Sequence, residues 1–88
     1  MIPALTVVPL IDRLHRAEQA LAAAARDLGT SGEPSPLAAL TWLQAASDVA
    51  VAGENLDRAV PGSLHAATTA GSRSYAAYAA GLLGLALT

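Results

Sequence analysis

Apolar residues recur at helical spacing through three stretches of the chain. In the first, Val7, Leu14, Leu21 and Leu28 return every seven positions, and Leu10, Ala17 and Ala24 fill the turns between them. Asp12, Arg13, Arg16, Gln19, Arg26 and Asp27 collect on the opposite side. This pattern predicts an amphipathic helix over about residues 7–28 with one buried and one wet face. Thr6 fits as its N-cap, Pro9 falls in the first turn, where a missing N–H costs little, and Gly29 follows the last periodic leucine as a left-handed closing residue. Asp12 precedes Arg16 by four residues, the favourable order for a surface ion pair.

Two clusters of turn residues divide the rest. Residues 29–35 form a linker rich in glycine and serine, and Ser35 followed by Pro36 supplies an N-cap and a first-turn proline for a second helix. Val60-Pro61-Gly62-Ser63 ends that helix near Ala59, because an interior proline costs about 3 kcal/mol, and Ser63 is placed to cap a third helix. Over residues 36–59, Trp42, Val49 and Leu56 share one face with Ala46 and Gly53, while Leu37, Leu40 and Val51 form a second apolar face. Gln44, Asp48 and Asn55 make a polar strip between the two. Over residues 63–85, Leu64, Thr68, Gly71, Tyr75, Tyr78, Leu82 and Leu85 alternate four and three apart, a seam for another helix.

The reading is therefore an all-α, single-domain, three-helix chain (about 7–28, 36–59 and 63–85) with antiparallel neighbours. A middle helix with two apolar faces and a last helix apolar nearly all round have more surface to hide than three helices can cover. The expectation is a homodimer completing a larger helical bundle, or an equivalent helical partner. Its interface would draw on Leu64, Gly71, Tyr75, Tyr78, Leu82, Leu85, Trp42, Val49 and Leu56.

Composition sharpens this picture. The chain has 88 residues, of which 22 are Ala and 14 Leu, with 3% aromatic and 14% charged side chains. A chain of this size buries only about 60–65% of its unfolded surface, and alanine adds little per residue, so self-association is an economical remedy for a marginal monomer. There is no cysteine, hence no disulfide framework and no thiolate metal site. Five arginines, no lysine and a net charge of −2 leave no basic field for nucleic acid. Abundant alanine without lysine is the codon signature of a high-GC, bacterial genome.

Mean hydropathy is +0.43, but the apolar start has no positive region and is broken by Pro3 and Pro9, unlike a signal peptide. The uncharged run 74–88 has 15 residues where a span needs roughly 20. A cytoplasmic location follows. Peripheral membrane attachment through Leu82, Leu83, Leu85 and Leu87 is a remaining alternative, weakened by the lack of flanking basic residues.

Candidate chemistry is sparse. Asp12, His15 and Glu18 follow one another at i, i+3 spacing, the arrangement helical bundles use for metals, yet such sites also draw ligands from facing helices. Glu18 lies at the edge of the apolar stripe beside Ile11 and Ala25. Its plainer reading is an ion pair with a residue such as Arg13 across a dimer. Trp42, Tyr75 and Tyr78 could line a pocket for a small hydrophobic molecule, though core packing accounts for them as well. No nucleophile elbow or phosphate loop is present. No catalytic residue, metal or cofactor is assigned, and the function expected is that of a noncatalytic interaction module, a self-associating accessory, adaptor or assembly subunit.

Overall fold

The computed structural model describes residues 4–30 and 35–85. Residues 31–34 of the linker lie outside the described residues, as do the two ends of the chain, 1–3 and 86–88. Four helices follow in order: α1 (Ala4–Thr30), α2 (Pro36–Ala59), α3 (Ser63–Thr69) and α4 (Tyr75–Leu82). No strand occurs among the described residues.

The second helix starts and stops where its turn chemistry predicts. Ser35 is extended (φ −78°, ψ 149°), its hydroxyl oxygen accepts the Ala38 N–H at 3.0 Å, and Pro36 occupies the first turn. At the other end the Val60 N–H still reaches the Leu56 carbonyl at 2.9 Å, but Pro61 follows and forces Val60 out of the helical region. The first helix overruns its predicted limits. It begins at Ala4, so Thr6 lies inside it and Pro9 falls in its second turn, and it continues through Gly29, which is not left-handed. A single glycine weakens a helix by only about 1 kcal/mol relative to alanine, too little to stop a 27-residue run.

The third predicted helix is corrected by the structure. In place of one helix over 63–85 there are two short ones, and the break falls at residues 70–74. Gly71 takes φ +72°, the Ser72 N–H bonds the Ala67 carbonyl at 3.0 Å, and the Gly71 N–H bonds the Thr68 carbonyl at 3.0 Å. This pair of crossed bonds is the Schellman ending, which needs a left-handed residue that glycine supplies at no steric cost. Three residues on, Ser74 is extended, and its oxygen accepts the Ala77 N–H at 3.0 Å, starting α4. The seam drawn from Leu64 to Leu85 assumed one continuous cylinder. With the axis broken, Leu64 and Thr68 no longer share a face with Tyr75 and Tyr78. Ser63 is also not the cap of α3. Gly62, at φ +86°, holds that place, and Ser63 is the first helical residue.

The two long helices pair along their length as a hairpin, and α3 and α4 lie across one half of it. The core sits there: Val7, Ile11 and Leu14 from α1 meet Ala52 and Leu56 from α2, beneath Ala67 of α3 and Tyr75, Ala76, Ala79 and Ala80 of α4. Ile11, Leu14 and Leu56 are the largest fully buried side chains. The alanines bring α4 close to the hairpin, and the Tyr75 ring lies over Gly53 of α2, where an added methyl would make ordinary van der Waals contact with ring carbons at 3.9 and 4.0 Å. The molecule extends 49 × 23 × 20 Å. A helix of 27 residues is about 40 Å long, so α1 spans most of it. Among the described residues past Glu18 on α1 and before Val49 on α2, only Ala24 and Ala45 are buried, and no described helix covers that half of the hairpin as a third layer.

Candidate functional site

Polar groups gather where the short helices meet the long ones. Glu18 Oε1 accepts the Ser74 hydroxyl proton at 2.7 Å, and Glu18 Oε2 accepts the Tyr75 N–H at 3.1 Å. The carboxylate from α1 thus satisfies the first turn of α4, where unpaired N–H groups and the positive end of the helix dipole both favour a negative charge. Asp57 does the same for α3: its Oδ1 accepts the Leu64 N–H at 3.2 Å, at a helix start where the cap residue, Gly62, has no side chain to offer. Each long helix therefore lends one acid to the N-terminus of one short helix.

This answers the odd position of Glu18. Its stripe-edge location puts it under Ser74, and its partners are in its own chain; an ion pair with Arg13 across a dimer is not needed to explain it. Asp12 turns the other way, to Arg16 at 3.1 Å on an exposed surface, so the surface pair expected from the spacing is present. Asp12, His15 and Glu18 do not converge, and no group of three or more His, Cys, Asp or Glu among the described residues is placed to hold a metal ion.

Ser63 and Tyr75 join α3 to α4 through a hydrogen bond between their hydroxyls, both residues being buried. Burial pushes the Tyr75 hydroxyl above the usual tyrosine value; the bond to Ser63 pulls it down, and the nearby negative charge of Asp57 adds to the rise. The native state thus keeps a proton that the unfolded chain gives up near pH 10. The stability tied to this proton is complete below that pH and is lost as pH climbs through the raised native value. Urea midpoints should accordingly decline above pH 10. Tyr75→Phe should flatten that decline, and an equal decline in the variant would remove Tyr75 as its cause.

The residues singled out from sequence are dispersed. Tyr75 and Leu56 belong to the chain's own core, with Val49 and Tyr78 partly buried against it. Leu64, Gly71, Leu82 and Leu85 are exposed. Trp42 is half-buried on α2, eleven residues or about 16 Å along the helix from Gly53, which underlies Tyr75, so the three aromatics do not line one pocket. Leu82 and Leu83 are exposed beside Leu85, while Leu87 lies outside the described residues. No described helix is long and apolar enough to cross a membrane.

A concave surface of about 470 Å³ opens where α4 begins. Leu21, Ala22, Ala25 and Val49 give it an apolar lining, and His15, Glu18, Gln19, Arg73 and Ser74 complete it with polar and charged groups. The sequence reading took Ser63 for a helix cap and assigned no role to Asp57, Arg73 or Ser74. For Ser74 a signal was available: glycine followed three residues later by serine is a helix stop and start, even inside an unbroken heptad pattern.

No family model, curated protein or solved structure matches the chain.

Proposed function

We propose that the chain is a noncatalytic helical interaction module of the cytoplasm, one that self-associates as an accessory, adaptor or assembly subunit. The observation that carries this reading is the outer side of α2. Leu37 is 74% exposed, Leu40 62%, Leu43 56% and Val51 55%, and all four fall within a strip about 120° wide. Exposed Gln44 and Ser47 share this arc, so the apolar cluster is Leu37, Leu40 and Leu43 with Val51 two turns further on, and exposed leucines gathered in this way on a small domain suit a surface that another protein covers. The polar groups support the same reading: Glu18, Asp57, Ser63, Ser74 and Tyr75 are engaged in holding helix ends together.

Light scattering at micromolar concentration tests self-association. A dimer is expected, and Leu40→Glu with Leu43→Glu should return it to monomer with its far-UV circular dichroism unchanged. A wild-type monomer that binds no hydrophobic dye would overturn the reading.

A further inference from the structure

We infer that residues 70–74 are an exchange hinge. When it straightens, α3 and α4 join into one helix, and α4 leaves its own hairpin to seat on the hairpin of a second copy, which returns its own α4. This route to a dimer goes beyond the self-association proposed above, since it makes no use of the exposed leucines of α2.

Helix geometry supplies the first support. At about 100° per residue, one helix over 63–82 sets the buried residues of α3, Ser63 and Ala67, about 170° from the centre of those of α4, Tyr75, Ala76, Ala79 and Ala80. One hairpin cannot cover opposite sides of a straight helix. The break at 70–74 is what lets both halves pack on the same hairpin, and without it α4 needs another. The seat that already fits α4 is the core of this same hairpin, so the hairpin it needs is that of a second copy, and the Ser63–Tyr75 bond is then made between chains. The periodic residues fall into place in the same helix: Leu64, Gly71, Tyr78 and Leu82 lie within about 40° of one another, on the flank between the two buried faces. Two joined helices meet on that flank with Gly71 at the crossing, which covers Leu64 and Leu82, 43% and 62% exposed in the closed chain.

The hinge residues supply the second support. Ala70, Gly71, Ser72 and Arg73 are exposed, Ser74 is partly so, and none of the five is a proline, so the backbone can change there without disturbing the core. The closed form rests on one left-handed glycine, at φ +72°, and on a serine cap held by Glu18. The eight residues of α4 carry no charge and are too few to stand alone as a helix, so a released α4 has to seat again.

The test is made on the chain carrying Leu40→Glu and Leu43→Glu, which removes association through α2. Refolded from urea at millimolar concentration, this parent should yield a fraction of doubled mass by light scattering. Adding Gly71→Ala and Ser74→Ala removes the left-handed residue and the cap and favours a continuous helix, and should make the dimer the main species. Adding Gly71→Asn instead, a residue that tolerates the left-handed conformation, should leave the monomer dominant. Hydrogen exchange locates the change. The Arg73 and Ser74 N–H groups have no backbone partner among the described residues, and in the dimer they should gain about tenfold protection or more while α4 stays protected. If the double hinge variant does not fold, Gly71→Ala alone is read in the same way. No dimer from parent or hinge variants, equal dimer fractions with Gly71→Ala and Gly71→Asn, or a dimer in which Arg73 and Ser74 exchange freely would each overturn the inference. If the wild-type dimer is broken at Leu40 and Leu43 and none returns through the hinge, the exchange falls and the interaction module stands. If the exchanged dimer forms while the wild type never associates through α2, the hinge stands and the α2 surface falls.

Discussion

Leu56→Ala is expected to cost about 3–5 kcal/mol, the upper part of the range for a buried leucine. Leu56 is 0% exposed, and its surroundings in the core include Ala52, Ala67 and Ala76. Alanine has no side-chain rotamer to rearrange, so the hole left by the missing carbons stays open, and open holes are what make such substitutions expensive. A domain of 88 residues has on the order of 4–13 kcal/mol of stability in all, so the variant loses roughly a quarter of it or more. Urea unfolding followed at 222 nm measures the change. The same substitution at Leu40, 62% exposed, should alter monomer stability by about 0.5 kcal/mol or less. If Leu56→Ala cost no more than Leu40→Ala, the core would not be centred where the structure puts it.

The second large effect is expected at Glu18. Glu18→Ala removes both acceptors at the start of α4 and should cost about 1.5–3 kcal/mol, in line with losing hydrogen bonds to a partly buried charge. The loss should be local as well as large. A helix of eight residues is not stable alone, so α4 persists only while its cap and its alanine face hold it to the hairpin. Native-state hydrogen exchange should show the amides of Tyr75–Leu82 losing protection ahead of those in α1 and α2. Glu18→Gln, which keeps one acceptor but not the charge, should fall between wild type and alanine. Uniform loss of protection across all four helices would mean that Glu18 supports the whole fold and does not latch one helix.

Several features were legible before any coordinates. Ser35, Pro36, Val60 and Pro61 fix the ends of α2 because capping and proline sterics act within a few residues. The pairing of Asp12 with Arg16 was legible for the same reason, being set by helical spacing alone. The break at Gly71 and Ser74 was equally local, but the heptad pattern spoke louder: alanine fits any face of a helix, so an alanine-rich run stays periodic whether or not its axis continues. Glu18 is the opposite case. Its position at the edge of an apolar stripe announced a partner, yet that partner is 56 residues away at a helix start the periodicity concealed.

The sequence by itself determined that this protein is helical, where its long helices run, and that it carries more apolar surface than it can hide. Those are matters of propensity, periodicity and turn chemistry, which act over a few residues. Only the tertiary structure decided which surface is left over. With α3 and α4 folded back on one half of the hairpin, Tyr75 and Leu56 were drawn inside, the acids of the long helices became caps for the short ones, and the exposed leucines of α2 and the concave surface at Arg73 remained. That outcome depends on where α4 starts, which is set by a local break at Gly71 and Ser74 and by the Glu18 carboxylate that reaches Ser74 only in the folded chain.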